Sequence, residues 1–311
     1  MANETIRDIR KAAVIGAGAV GATTAFSMIQ ADVADEIALV DIDQSRAEGE
    51  CMDIEHSLPF TRSCHIYPAS NEDVYNYDVV IVTAGVAQKP GETRLDLVQR
   101  NIEVFDSLFP LLSENNPDAV FVIVTNPVDI MTRVALKLSG LPPEQVIGTG
   151  TLLDTARFRS LLAPRLGVGT PNIHAYVIGE HGDSEVLVWS RVAIGPFNLD
   201  EYTALNDIKL GPAERQEIDK SVRTAAYEII QRKGATQFAI GQGTAHLCRA
   251  LFQRADSLFT LSRRFDGIYG LHDVCLSIPT RINRNGAVRH LERELAPDER
   301  DALLKSAEIL D

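Results

Sequence analysis

Residues 11–21 read KAAVIGAGAVG, and this stretch decides the fold. Its first five residues form a largely apolar run that is typical of a short buried strand. Three glycines follow at the spacing G-x-G-x-x-G, and a helix-compatible run continues to about Ala31. Glycines permit a tight turn and let a ligand approach the backbone closely. The stretch therefore predicts a strand, a glycine turn and a helix.

An acidic residue completes this pattern. Asp41 ends a second predicted strand, residues 37–40, and lies twenty residues beyond the third glycine. In a dinucleotide-binding unit the first N–H groups of the helix face the pyrophosphate, and the acidic residue accepts hydrogen bonds from the ribose. We expect Gly16, Gly18 and Gly21 to form the phosphate turn. Because a carboxylate at position 41 would repel a 2′-phosphate, the predicted cofactor is NAD rather than NADP.

Strands and helices alternate through the rest of the first half. Helices are predicted at 45–56, after Glu92 and from about Val128, and strands at 78–82 and 119–124. This rhythm predicts an α/β fold with a parallel, doubly wound sheet, in which ligands bind at the carboxyl ends of the strands. We expect the polar stretches that follow those strands to converge on one cleft.

The loop that precedes Arg94 has the composition of a mobile lid, with two glycines and a proline among polar residues. Arg94 stands at the start of a predicted helix, where the helix dipole disfavours a cation. A ligand anion near Arg94 would account for that placement. The alternative is a solvated connection.

Pro142-Pro143 marks a break in the sequence pattern of the first half. We predict a NAD-binding domain of the Rossmann type at residues 1–148 and an α+β catalytic domain at 149–311. The second half is expected to contain helices at 214–231, 236–252 and 298–310 and strands at 257–261 and 274–278.

A reactive histidine is suggested by Gly179-Glu180-His181-Gly182-Asp183-Ser184, which follows the strand-like run Ala175-Tyr176-Val177-Ile178. Imidazole has an unperturbed pKa of roughly 6.5, which suits proton exchange near neutrality. The flanking glycines let a substrate come close. His181 could be catalytic, or it could be structural or solvated. Both interpretations stay open at this point, because a histidine in a polar loop is more often structural or solvated than catalytic.

Asp154 and Arg157 lie three residues apart on one face of a predicted helix. They could form a surface ion pair, which contributes little to stability. If their face points at His181, the carboxylate would orient the imidazole and stabilise its charged form. The guanidinium would then bind a substrate carboxylate through two hydrogen bonds.

Taken together, these motifs resemble the lactate and malate dehydrogenase family, and within it the bacterial NAD-dependent L-lactate dehydrogenases. The resemblance covers nearly the whole chain and rests on ordered motifs at 16–21, 88–94, 125–129, 153–157, 179–184 and 233–236. It implies that His181 exchanges the proton, Asp154 is its partner and Arg157 anchors the substrate carboxylate. Segment 263–271 matches the family poorly and has no predicted role.

The resemblance also implies roles for residues around the cleft. Arg94 would polarise the substrate carbonyl, Asn126 would bond the substrate or the cofactor carboxamide, and Thr236 would line the pocket. The residues implied at the cofactor, besides the three glycines and Asp41, are Val20, Arg46, Gly85, Val86, Ser107, Val124, Asn126 and Thr149.

Lid residue Gln88 separates the two main substrate classes. Family malate enzymes generally carry arginine at this position. A neutral side chain would leave the second carboxylate of oxaloacetate unpaired. Pyruvate and L-lactate are therefore the predicted substrates. A malate dehydrogenase or a broad 2-keto acid reductase is the main alternative. A catalytically silent NAD-binding regulator is a remote one, because it would be expected to lack His181, Asp154 or Arg157.

Arg159 and His174 are unused by the catalytic interpretation. Arg159 lies about 200° around the helix from Arg157. Each could be a solvated or packing residue, but allosteric members of the family bind fructose 1,6-bisphosphate through an arginine and a histidine at matching positions. The resemblance thus implies a possible effector site, and a homotetramer.

Composition narrows the remaining choices. The 311 residues are 45% hydrophobic, enough for a sizeable core, and the net charge of −13 opposes binding to nucleic acid or anionic membranes. No apolar run approaches the roughly 20 residues that span a bilayer, so a cytoplasmic protein is expected. The four scattered cysteines predict neither a disulfide framework nor a metal site.

Overall fold

The computed structural model describes residues 9–86, 94–253 and 255–310, and the backbone alone at Arg94. Its first half contains six strands. They are β1 Lys11–Ile15, β2 Glu36–Val40, β3 His65–Ala69, β4 Val79–Val82, β5 Val120–Ile123 and β6 Val146–Gly148. These strands are parallel and lie side by side in the order β3-β2-β1-β4-β5-β6. The predicted doubly wound parallel sheet is confirmed.

Four helices cover the two faces of this sheet. They are α1 Ala19–Gln30, α2 Gln44–Glu55, α3 Arg94–Asn115 and α4 Val128–Ser139. Ala12 and Val14 of β1 pack in the layer that contains α1 and α2, whereas Ala13 and Ile15 pack in the layer that contains α3 and α4. Because successive side chains of a strand point to opposite faces, a sheet covered on both faces requires the continuous apolar runs seen in the sequence.

The sequence did not reveal β3, which reads HIYPA. Proline cannot donate a hydrogen bond to a neighbouring strand and is tolerated mainly at sheet edges. β3 ends the order of strands and, among the described residues, pairs with β2 alone. Its edge position explains why its sequence lacks the apolar run of a central strand.

The second half adds five helices and eight strands within the described residues. The helices are α5 Leu152–Leu166, α6 Leu199–Leu205, α7 Pro212–Lys233, α8 Phe238–Phe252 and α9 Pro297–Glu308. The strands are β7 Ile173–His174, β8 Val177–Ile178, β9 Val186–Leu187, β10 Ala193–Ile194, β11 Phe197–Asn198, β12 Ser257–Phe265, β13 Val274–Asn283 and β14 Gly286–His290.

Strands β12, β13 and β14 extend the central sheet. They are antiparallel to one another, and Ser262 of β12 pairs with Gly148 of β6. One nine-stranded sheet therefore crosses the proposed boundary at residues 148 and 149. The two-domain division of the chain stays a prediction.

Two local predictions are corrected by the structure. The strand-like run at 175–178 is strand only at β8, because β7 ends at His174 and two residues separate them. The strand predicted at 257–261 is longer than expected, since β12 continues to Phe265, inside segment 263–271. Arg263 is 7% exposed and lies inside the sheet, so its charge concealed the end of the strand in the sequence.

No helix among the described residues is both long enough and apolar enough to cross a membrane. The cysteines Cys51, Cys64, Cys248 and Cys275 are all free thiols, and three of them are buried. Burial raises the pKa of the Cys51, Cys248 and Cys275 thiols to about 12, so these thiols stay protonated near neutral pH.

Candidate active site

His181, Asp154 and Arg157 form one connected group. The Nδ1 atom of His181 lies 2.6 Å from Oδ2 of Asp154, and Nη1 of Arg157 donates to Oδ1 of the same carboxylate at 2.6 Å. The Asp154 side chain is 1% exposed, whereas that of His181 is 25% exposed. The buried carboxylate thus fixes one edge of the imidazole, and the opposite edge of the ring remains accessible to a ligand.

Two separate elements of the C-terminal half bring these residues together. Asp154 and Arg157 belong to the first turns of α5, and His181 follows β8. The backbone N–H of Thr151, just before α5, donates to Ser277 Oγ on β13, and the Thr151 hydroxyl donates to the carbonyl oxygen of Val177 on β8. These bonds attach the start of α5 to the strand that leads to His181.

A second carboxylate holds the backbone at His181. Oδ2 of Asp129, on the first turn of α4, accepts a hydrogen bond of 2.7 Å from the His181 backbone N–H. Asp129 is 2% exposed, and burial raises the pKa of its carboxyl to about 6. The loop after β8 is therefore fixed to the first half of the chain, where the glycine turn lies.

Electrostatics favour the imidazolium form of His181. Burial alone would lower the pKa of His181, but the charge and hydrogen bond of Asp154, followed by the charges of Asp129 and Glu185, raise it to about 9. Burial alone would raise the pKa of Asp154, but the charge of His181, its hydrogen bond and the charge of Arg157 lower it. At neutral pH the pair therefore consists of an imidazolium and a carboxylate, and His181 holds a proton that it can donate.

The glycine turn has the shape of a phosphate-binding turn. Gly16 has a φ of +105°, and a Cβ on Gly21 would lie 1.8 Å from the Gly16 carbonyl oxygen, so neither position accommodates a side chain without rearrangement. Around Gly18, by contrast, no heavy atom of the described residues lies within 4 Å of where a Cβ would be. Gly18 precedes α1 and gives it no side-chain cap, so no Gly18 side chain competes with a ligand for the first N–H groups of the helix.

Asp41 lies beside this turn, as predicted. Its Oδ2 accepts a hydrogen bond of 2.7 Å from the Ala17 backbone N–H, and its Oδ1 accepts one of 3.0 Å from Asp43. Each carboxylate oxygen has further lone pairs that could accept from ribose hydroxyls. The open glycine turn, the uncapped helix and this acceptor fit the pyrophosphate and the adenosine ribose of a dinucleotide.

Residues after β4 and β5 line the same edge of the sheet. A Cβ on Gly85 would lie 2.6 Å from the Thr125 side chain, so the two loops are in close contact. The buried amide of Asn101, on α3, accepts from the Val86 backbone N–H at 2.8 Å and donates to the Asn126 carbonyl oxygen at 2.9 Å. The predicted convergence of the loops after β4 and β5 is thus a direct contact.

The remaining predicted residues lie in varied environments. Val124 and Thr149 are buried at the ends of β5 and β6, and Val20 is half-buried on the first turn of α1. Arg46 and Ser107 are exposed on α2 and α3, and the Ser107 hydroxyl donates to the Val104 carbonyl oxygen. Thr236 is half-buried in the connection between α7 and α8. Ser107 and Thr236 have no recorded contact with the His181 group within the described part of the chain, and their roles stay predictions.

Two predicted lid residues cannot be placed. Gln88 lies outside the described residues, and so does the side chain of Arg94, although the backbone of Arg94 begins α3. Their predicted roles toward the substrate stay predictions.

Three residues of the site were not predicted from the sequence: Asp129, Asn101 and Glu185. Asp129 belongs to the motif at 125–129, so its position was noted without a role. Asn101 and Glu185 are 1% and 3% exposed, respectively. A polar residue in an otherwise apolar segment is a weak signal for such positions, because the sequence alone does not reveal burial.

Comparisons with known proteins agree with this geometry. A family profile described as lactate/malate dehydrogenase, NAD binding domain, matches residues 10–148, and one described as lactate/malate dehydrogenase, alpha/beta C-terminal domain, matches residues 151–311. The L-lactate dehydrogenase of Synechococcus sp. (strain JA-3-3Ab) is 50% identical over 300 residues, which are 96% of this chain and 97% of that protein. The L-lactate dehydrogenase of Thermus aquaticus is 47% identical over the same shares of the two chains.

The fold is similar as well. A crystal structure of the minor L-lactate dehydrogenase from Enterococcus mundtii superimposes with a TM-score of 0.94 at 36% identity, over 98% of this chain and 97% of that one. With both profiles matched in sequence order, and with relatives aligned along almost their entire length, the chain belongs to the lactate/malate dehydrogenase family.

Proposed function

We propose that this protein is an NAD-dependent L-lactate dehydrogenase that interconverts L-lactate and pyruvate. The observation that carries the proposal is the buried Asp154 carboxylate, which bonds His181 on one oxygen and Arg157 on the other. One carboxylate thereby orients a proton donor and a carboxylate-binding guanidinium side by side. A 2-keto acid presents an oxygen that needs a proton next to a carboxylate that needs a cation.

Each side chain has a separate task in this proposal. Asp154 keeps His181 in its imidazolium form, and the ring donates its proton to the oxygen of the former carbonyl group during reduction. Arg157 donates one N–H to Asp154. The other N–H donors of its planar guanidinium can bind the substrate carboxylate through two hydrogen bonds. In lactate oxidation the same imidazole, once neutral, accepts the hydroxyl proton.

The cofactor supplies the hydride. Gly16, Gly18 and Gly21 would hold its pyrophosphate at the start of α1, and Asp41 would accept from the adenosine ribose. The proposed contacts of Val20, Arg46, Gly85, Val86, Ser107, Val124, Asn126 and Thr149 follow from the family resemblance. Arg94 would close over the substrate and stabilise charge that develops on its oxygen.

Substrate choice tests the proposal directly. Steady-state kcat/KM, measured from NADH oxidation with pyruvate and with oxaloacetate, is expected to favour pyruvate strongly. The Gln88→Arg variant should move the ratio toward oxaloacetate, because the new cation pairs the second carboxylate and is left unpaired beside a methyl group. A wild type that prefers oxaloacetate would make the protein a malate dehydrogenase. A ratio that Gln88→Arg leaves unmoved would put Gln88 outside the pocket.

We also propose a cytoplasmic homotetramer that responds to fructose 1,6-bisphosphate. Tyr227, Ile230 and Phe238 are 60%, 48% and 67% exposed, and such apolar surface favours burial against another subunit.

Support for the effector site comes from Arg159 and His174. His174 is exposed on β7, and Arg159 Nε donates to the carbonyl oxygen of the next residue, Ala175. A guanidinium bonded to the residue that follows His174 could bind a phosphate group together with that imidazole.

The effector proposal predicts a change in pyruvate saturation. Because a guanidinium binds phosphate groups, millimolar fructose 1,6-bisphosphate should shift the pyruvate saturation curve of dilute enzyme. The Arg159→Gln variant should lose the response. Superimposable wild-type curves with and without the bisphosphate would rule the site out.

A further inference from the structure

Glu185 is a third carboxyl group beside the His181–Asp154 pair, and the chemistry proposed above gives it no task. It directly precedes β9 and is 3% exposed. One of its carboxylate oxygens, one oxygen of Asp154 and one ring nitrogen of His181 all lie within 4.8 Å of one another. Its Oε1 is buried and has no hydrogen-bond partner among the described residues.

A buried carboxyl group in this position is costly unless it serves the site. An unpaired polar atom loses its interactions with water, and an ionised one loses far more. Burial raises the pKa of Glu185 to about 8, and the negative charge of Asp154 adds to the increase. Glu185 is therefore an uncharged acid at neutral pH, next to the residue that exchanges the substrate proton.

We propose that Glu185 is a positioning residue for proton transfer, whose carboxyl group beside Asp154 and His181 controls how tightly His181 holds its proton. The inference rests on the proposed function, because it assigns His181 the same proton. While Glu185 is uncharged, the imidazolium is stabilised chiefly by Asp154. Once Glu185 ionises, a further negative charge acts on the imidazolium, in addition to those of Asp154 and Asp129, and strengthens its hold on the proton.

Charged groups on several elements surround Glu185 and set when it ionises. Asp154 of α5 opposes its ionisation, whereas His181, Arg223 of α7 and Arg157 of α5 favour it. Arg223 is anchored next to it, since its Nη2 donates to the Glu185 carbonyl oxygen at 2.8 Å. From α4, Asp129 acts on His181 itself. Burial raises the pKa of Glu185 most, and together with these opposing charges it brings the titration of Glu185 into the range where His181 also titrates.

A surface cavity beside α7 reaches Glu185. Glu185 lines a surface cavity of about 570 Å³ together with Arg223 and Asp219.

The test is the pH dependence of the Glu185→Gln variant. Glutamine is uncharged at every pH, so the variant lacks the negative charge that raises the pKa of His181. We expect the inflection in kcat/KM for pyruvate to move to lower pH by about one unit, since an opposite charge at this distance shifts a pKa by that order. The inflection for L-lactate should move equally, because both directions depend on the same ionisation. Near pH 6, where Glu185 is itself uncharged, the variant should match the wild type within about twofold.

Two further variants separate this role from a structural one. Glu185→Asp keeps the charge and should move the inflection less than Glu185→Gln does. Asp219→Asn removes a carboxylate that lines the same cavity but bonds the Trp189 indole, and it should leave the inflection in place. A loss of activity that is uniform across pH, an unmoved inflection in Glu185→Gln, or a shift in one direction of reaction only would overturn the proposal.

A measurement on the wild type covers the case in which Glu185→Gln fails to fold. The ring nitrogens of His181, followed by NMR in ¹⁵N-histidine-labelled enzyme, should respond to pH in two steps. The first step reports ionisation of Glu185 near pH 8, and the second is the titration of His181 itself. A single-step curve would contradict the coupling. Pyruvate reduction by the same wild-type sample tests the proposed function separately, so the two ideas can fail independently.

Discussion

The His181→Asn variant is expected to bind NADH like the wild type and to lose turnover with pyruvate by about 10²–10⁴-fold, the usual contribution of general acid–base catalysis. Asparagine retains a polar side chain of similar reach but cannot donate a proton at neutral pH. In the proposed function, NADH affinity is set at the glycine turn and Asp41 rather than at His181. Fluorescence titration with NADH and steady-state kcat for pyruvate give the two values.

A variant with near-wild-type turnover would remove His181 from the reaction. A variant that also fails to bind NADH would show that the substitution disturbs the fold, and its thermal unfolding curve would reveal this. The Asp219→Asn variant is a suitable comparison, because it replaces an acidic side chain in the same half of the chain by its amide, outside the proposed chemistry.

The Asp154→Asn variant is expected to lower kcat/KM for pyruvate at neutral pH by about 100-fold or more, because an amide cannot stabilise the imidazolium. The sign follows from the wild type, in which the charge and hydrogen bond of Asp154 outweigh burial and raise the pKa of His181. Without that charge, burial dominates and the pKa of His181 falls, so less of the enzyme carries the proton that pyruvate needs. Arg157 also loses the partner that orients it, so KM should rise.

Measurements of kcat/KM from about pH 5 to pH 9 separate these two effects. The pH inflection of Asp154→Asn should lie well below that of the wild type, and activity should recover partly at low pH. An inflection that stays in place would mean that Asp154 acts only by holding the fold together. Unchanged kcat and KM would mean that the contact between His181 and Asp154 has no part in the reaction.

The sequence was most informative where one residue pattern had one physical cause. Strands β1, β2, β4 and β5 were predictable because a sheet covered by helices on both faces requires continuous apolar runs. The glycine turn and Asp41 were predictable because their spacing follows from one strand, one turn and one helix. Strands of two residues, such as β9, are too short to carry a period, and β3 was hidden by its edge position.

For the site, too, local residue patterns were predictable and long-range contacts were not. His181, Asp154 and Arg157 were proposed from local spacing and from resemblance to a family, but their contact spans 27 residues of chain and could not be derived from spacing alone. Asp129 reaches the His181 backbone across 52 residues. Glu185 looks in the sequence like an ordinary solvated glutamate. Its burial is a property of how α5 and α7 pack around the loop after β8, so the sequence alone gave no reason to select it.

In the proposed function, His181 must carry a proton to reduce pyruvate. The most direct test is kcat/KM for pyruvate as a function of pH at saturating NADH, with wild-type enzyme. Because Asp154 raises the pKa of His181 to about 9, the profile should be level through neutrality and fall tenfold per pH unit above the inflection. A profile that instead rises with pH through this range would mean that the essential group works in its deprotonated form, and would contradict His181 as the proton donor.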